Sequence, residues 1–311
     1  MELHPVLKAM LETGAGAPDP RTIPVETARR NFILNNRSMR RPPVAEVEDR
    51  RIAGPRGDVA LRIYRSSTSE TRPVVMYFHG GGFVLGSIET HDGLARELCI
   101  RAAATVVSVD YGLAPEHKFP AAPDDCLAAT HWAAAHAAEF GGDPSRMALA
   151  GDSAGGNLAA VTAIRLRDEG KLPIAALLLM YPVTDHYDAG SPSYSECSSG
   201  PGLTADTMRW FWDHYLSDPS EADHPFASPN RLGDLRGLPA TYVFTAAHDP
   251  LRDEGETFAR RLAEAGVACT CLRYPDMNHG FVKWVDRIDR ADAALDAACA
   301  WIRRMLDPHV E

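Results

Sequence analysis

The chain has 311 residues, 45% of them hydrophobic and 24% charged, enough for one large α/β domain or two small ones. A net charge of −10 argues against a nucleic-acid partner. No stretch approaches the run of roughly 18 apolar residues that a membrane-spanning helix needs.

The opening MELHPVLKAMLETGAG carries acidic residues and no long apolar core, so no secretory leader is expected and the protein reads as cytoplasmic. The rest of the first 45 residues mixes helix-like pieces with NNRSMRRPP and holds no strong period. VEDRRIAGPRGDVALRIYR then reads as two strands joined by a Gly-Pro turn. Six further strand-like runs follow: PVVMYF (73–78), ATVVSV (104–109), RMALA (146–150), AALLLMY (175–181), ATYVFTA (240–246) and ACTCLRY (268–274). Between them lie helical stretches such as AAPDDCLAATHWAAAHAAEF, GNLAAVTAIRLRDEG, DEGETFARRLAEAG and DRADAALDAACAWIRRML. Buried strands alternating with helices predict an α/β fold with a mostly parallel eight-stranded sheet and helices on both faces.

Residues 185–230, rich in Ser, Pro, Gly, Trp and His, interrupt the rhythm, and an insertion that long suggests a lid. The expected organisation is therefore a core of residues 46–184 and 231–311. A helical cap is expected from residues 1–45 and 185–230. The six cysteines are scattered without a CxxC pair and are expected as reduced thiols. Cys269 and Cys271 alternate on one strand face, a geometry that cannot easily form a bridge.

FHGGGFVLGS (78–87) puts three glycines straight after an apolar run. A phosphate-binding loop would need Lys after Gly86, where Ser87 stands. A dinucleotide fingerprint from Gly80 would need Gly where Leu85 stands. A second signal, MALAGDSAGGNLAAV, contains G-x-S-x-G as Gly151, Ser153 and Gly155, between an apolar strand and a helix. The turn there is too tight for side chains two residues before and after the serine. It would present Ser153 as a nucleophile.

A serine hydroxyl needs an adjacent base and an orienting acid. Downstream, Asp249 stands just past one strand end and His279 just past the next. His248 occupies the strand end itself, and His4, His131, His136 and His309 have plainer readings as solvated or packed residues. Asp253 and Asp276 are alternatives for the acid, although Asp276 lies only three residues from His279. With Ser153 attacking a carbonyl, the glycine loop acquires a role. Bare backbone N–H groups of Gly81 and Gly82, with that of Ala154, would hold the developing oxyanion. Phe83, Trp210 and Phe211 are the candidates for lining the substrate pocket. Asp152, in the variable position beside the nucleophile, is read as solvated or loop-bonding, with a place near the site as the alternative. No three-ligand metal spacing appears.

Six segments, YFHGGGFVLGS, DYGLAPEHKFPA, DPSRMALAGDSAGGNLAA, LTADTMRWFWDHYL, DPLRDEGE and YPDMNHGF, together resemble the bacterial hormone-sensitive lipase family of esterases, within the α/β-hydrolase fold. The resemblance covers most of the chain. It implies a triad at Ser153, Asp249 and His279 and oxyanion donors at Gly81, Gly82 and Ala154. It also implies hydrolysis of short- to medium-chain carboxylic esters, a small-molecule substrate, no cofactor and no metal. It leaves open amide, lactone or carbamate hydrolysis, a non-catalytic receptor on the same fold, and a homodimer. Two positions depart from the family pattern. Gly112 stands where Arg is usual, which questions the rigidity of the glycine loop. His248 stands where Glu commonly precedes the acid.

Overall fold

The computed structural model describes residues 2–13, 19–36, 40–170, 172–199 and 202–307. His309 lies outside them, as do residues 37–39 of the NNRSMRRPP stretch.

Two helices, α1 (Pro5–Thr13) and α2 (Val25–Asn36), precede the first strand. The hairpin follows as β1 (Glu46–Gly54) and β2 (Gly57–Arg65), then β3 (Arg72–Phe78), α3 (Ile88–Arg101), β4 (Thr105–Asp110) and α4 (Ala121–His136). The chain continues through β5 (Gly142–Asp152), α5 (Ala154–Glu169) and β6 (Ala176–Met180) into the insertion. The insertion carries α6 (Pro192–Glu196) and α7 (Ala205–Tyr215). β7 (Ala240–His248), α8 (Arg252–Glu264), β8 (Cys269–Asn278) and α9 (Asp289–Leu306) complete it.

The eight strands form one sheet in the order β1-β2-β4-β3-β5-β6-β7-β8. β2 runs antiparallel to both β1 and β4, and every other neighbouring pair is parallel. The central strands are buried on both faces, which is why they read as continuous apolar runs. In β3, Val74, Met76 and Phe78 join one core with α4, α5 and α8, while Val75 and Tyr77 join a second with α3 and α9. β8, at the sheet edge, is mostly exposed along its first half. All six cysteines are free. Among the described residues no helix is long and apolar enough to cross a membrane.

The parallel strands end on the side where Ser153, Asp249 and His279 follow β5, β7 and β8. α1, α2 and α7 contribute side chains above those ends.

Candidate active site

Ser153 sits between β5 and α5 with φ 57° and ψ −121°, a conformation that costs energy for any residue with a side chain. The surrounding glycines permit it. A Cβ on Gly151 would lie 2.1 Å from the Gly155 carbonyl oxygen, and one on Gly155 would lie 1.9 Å from the Phe78 carbonyl oxygen. The turn is pinned by the Ser153 N–H, which donates to the Met180 carbonyl at 2.9 Å, and by the Val183 N–H, which donates to the Ser153 carbonyl at 3.1 Å.

The Ser153 hydroxyl lies 2.9 Å from His279 Nε2, and His279 Nδ1 lies 2.7 Å from Asp249 Oδ2. An ionised carboxylate only accepts hydrogen bonds, so the proton of the neutral ring belongs on Nδ1 and Nε2 accepts from the serine. Asp249 is fully buried, and its other oxygen accepts the Leu251 N–H at 2.9 Å. The insertion secures that loop. Ser193 Oγ donates to the Pro250 carbonyl at 2.6 Å, and the Ser193 N–H donates to Asp253 at 2.8 Å. Asp253 is thereby engaged away from the histidine, and Asp276 pairs with Arg290 at 2.9 Å. Tyr181, also at positive φ (38°), sets its ring against His279 with centroids 4.8 Å apart.

The glycine loop folds into a turn in which Val84 and Leu85 donate to the Gly81 carbonyl at 3.2 and 2.8 Å. Gly81 and Gly82 have φ of 127° and 62°, and their N–H groups donate to no other group among the described residues. A Cβ on Gly81 would strike the Leu85 carbonyl oxygen at 2.2 Å, and one on Gly82 would strike the Phe211 ring at the same distance. Ala154 is the first residue of α5, where a helix leaves its N–H groups unpaired. Gly81 and Gly82 line the same pocket as Ser153, and Ala154 follows the serine in the chain.

Asp152 is buried beneath this loop and accepts from Tyr77 Oη at 2.7 Å and from the Gly80 N–H at 2.9 Å. His91 Nε2 lies 3.6 Å from its other oxygen. Burial pushes the carboxyl up, but the charge of His91 and the bonds from His91 and Tyr77 outweigh it, leaving a pKa of about 2. The solvated reading fails; Asp152 bonds the glycine loop through Gly80 and also lies near the site, lining the same pocket as Ser153.

Arg29, on α2, was not singled out in the sequence. Its Nε donates to the Val84 carbonyl and one Nη to the Ala114 carbonyl, both at 2.8 Å, and the guanidinium grips Glu116 with two bonds of 2.7 Å. Glu116 is held at a pKa of about 2 chiefly by those bonds. The glycine loop and the segment around Gly112 are therefore tied together from above. On the other side the Gly112 N–H donates to Asp125 at 2.9 Å. Contacts this far apart along the chain leave no mark in a single sequence.

A pocket of about 490 Å³ opens over Ser153 and His279. α1, α2 and α7 supply Leu7, Met10, Leu11, Phe32 and Phe211 to its walls. Phe83 and Trp210 are not among the described lining residues. Phe83, only 1% exposed, stacks on Tyr215 with centroids 3.9 Å apart, and Trp210 packs on Phe211 and His214.

The sequence profile described as "alpha/beta hydrolase fold" matches residues 75–283. The chain is 41% identical to the carboxylesterase NlhH of Mycobacterium tuberculosis, over 98% of this chain and 97% of that protein. It is 39% identical to an arylesterase of Saccharolobus solfataricus, over 77% of this chain and 78% of that one. Among solved structures, the hyperthermophilic esterase of the archaeon Pyrobaculum calidifontis superposes with a TM-score of 0.91 at 44% identity, covering 98% of this chain and 99% of that one. With the eight-stranded sheet, the serine elbow and these relatives in agreement, the chain belongs to the α/β-hydrolase family, in its hormone-sensitive lipase branch.

Proposed function

We propose that the protein is a serine carboxylesterase that hydrolyses short- to medium-chain carboxylic esters through an acyl-enzyme on Ser153. The observation that carries this reading is the continuous hydrogen-bond chain from Ser153 through His279 to Asp249, at 2.9 and 2.7 Å. That chain opens into a pocket lined by Gly81 and Gly82, whose N–H groups have no acceptor among the described residues.

His279 takes the hydroxyl proton as Ser153 attacks the ester carbonyl. Asp249 fixes the ring and stabilises the imidazolium. The oxyanion is held by the N–H groups of Gly81, Gly82 and Ala154, each worth about 3–4 kcal/mol when such a donor is lost. His279 returns the proton to the leaving alcohol, and water then cleaves the acyl-enzyme by the same route. Residues 1–45 and 185–230 act as a cap that shapes the pocket over the core of 46–184 and 231–311. The side chains of α1, α2 and α7 in the pocket walls support that division.

Ser153→Ala and His279→Ala should each lower kcat on p-nitrophenyl butyrate by roughly 10⁴-fold or more, with circular dichroism unchanged. A phosphonate ester should label wild type at Ser153 alone. Near-native kcat in either variant would refute the triad.

A further inference from the structure

His279 is followed by a single tight turn, Phe281–Trp284, which carries a lysine back toward the reaction centre. The Lys283 stem passes 3.9 Å from where a Cβ on Gly280 would stand, so its chain lies directly against the histidine loop. Lys283 and Arg287 both line the pocket that holds Ser153, and both flank the Trp284 ring, at 5.2 and 5.5 Å from its centroid. Among the described residues, Lys283 has no carboxylate within 4 Å, and the nearest to Arg287 is Asp286 at 3.9 Å. Asp152 is the one acidic residue among the described lining. It is already engaged by Tyr77, Gly80 and His91. Arg287 is 46% exposed and keeps its water, so the charge that a substrate neutral at both ends would leave unanswered is that of Lys283. Removing water from an ammonium costs free energy that only an anion or good acceptors return. Burial lowers the Lys283 pKa, with Asp152 acting in the opposite sense, so this charge is in fact partly desolvated.

We propose that Lys283, assisted by Arg287, forms an anion subsite beside the reaction centre, and that the pocket takes esters bearing a free carboxylate. Such substrates are monoesters of dicarboxylic acids, with the carboxylate on the acyl side, or acyl esters of hydroxy acids, with it on the alcohol side. A carboxylate of either kind meets a charged donor inside a low-dielectric pocket, where such a bond is strongest. The inference rests on the esterase reading given above.

The test compares kcat/KM for monomethyl adipate with methyl hexanoate, and for 6-acetoxyhexanoate with hexyl acetate, following methanol or acetate release. In wild type, the carboxylate ester of at least one pair should be turned over at least as efficiently as its neutral partner. In Lys283→Met that ratio should fall roughly tenfold or more, and Lys283→Arg should restore most of it. The pair that responds identifies which side of the ester faces the lysine. If the ratio is the same in wild type and Lys283→Met for both pairs, or if wild type rejects both carboxylate esters, the subsite is refuted. Hydrolysis of p-nitrophenyl butyrate by wild type and its loss in Ser153→Ala decide the esterase reading separately. The two ideas therefore fail by different results.

Discussion

The imidazole of His79 is fully buried, stacked between His91 and Tyr111 with centroids 5.3 and 4.4 Å apart. Its Nδ1 lies 2.8 Å from the Gly80 carbonyl, so the neutral ring carries its proton there and donates it to the glycine loop. Burial, with the nearby charge of His91, pulls its pKa from 6.5 down to about 3. Between those values the unfolded chain binds a proton that the folded chain refuses. Stability is therefore complete above about pH 6.5 and falls as pH drops toward 3, by at most about 1.4 kcal/mol per pH unit. Asp152 acts in the same direction over a lower window, from 3.8 down to about 2. Urea unfolding of wild type between pH 7 and 4.5 should show a loss about 2–3 kcal/mol larger than that of His79→Asn, which keeps a donor for Gly80 but cannot titrate. Equal losses in the two proteins would mean that His79 is not held neutral. That Ser153, His279 and Asp249 would meet was legible in the sequence, because they fall just past strand ends in a fixed chain order; the structure joins them by hydrogen bonds. His79 was not, because its role depends on three rings and a carbonyl that meet only in the folded chain.

At the level of elements, α2 does more than roof the pocket. Arg29 joins the carbonyls of Val84 and Ala114, which places one planar cation between the glycine loop and the segment holding Gly112. Gly112 has no side chain to offer here, and the guanidinium that joins the two segments comes from a helix more than eighty residues earlier. Because Arg29 touches the loop's carbonyls and not the pocket, its removal should loosen the Gly81 and Gly82 donors, whose bonds strengthen only as the oxyanion forms. Arg29→Ala should lower kcat on p-nitrophenyl butyrate by roughly 10–100-fold while KM moves less than about threefold. Arg29→Lys should fall between, since an ammonium cannot span two carbonyls and a carboxylate. A raised KM with intact kcat would assign the residue to pocket shape instead. The elements themselves were largely legible. Buried parallel strands give continuous apolar runs, and α9 spans the same residues as DRADAALDAACAWIRRML. The ends were less so. β8 continues through Pro275 and Asp276 to Asn278, across an irregularity in its register with β7 that closes again at the His248–Asn278 pair. β5 likewise begins at Gly142, well before its apolar portion.

For the whole molecule, the pocket walls draw on both irregular regions, through α1 and α2 and through α7, and this was the least legible feature. The insertion at 185–230 was recognisable as an interruption, but which of its aromatics would reach the pocket was not. Phe211 lines it, while Trp210 of the same helix packs on Phe211 and His214 and is not among the described lining residues. The resulting pocket, about 490 Å³, lies in the lower half of the roughly 300–1,000 Å³ range of small-molecule sites. It must hold both the acyl and the alcohol portions of an ester around Ser153. Leu7, Met10 and Leu11 of α1 and Phe32 of α2 close it with apolar walls, so each added methylene first gains about 0.8 kcal/mol by burial. Once the chain reaches those walls the gain stops, because a packed surface yields only at the cost of strain. kcat/KM across p-nitrophenyl esters from acetyl to palmitoyl should therefore rise and then fall, with the maximum between C2 and C8 and almost no activity at C16. Replacing Leu11 with Ala, which removes wall without touching the triad, should move the maximum to longer chains. A wild-type optimum at C16 would show that α1 and α2 open to admit long chains, and that the pocket walls they form here are not what selects substrate.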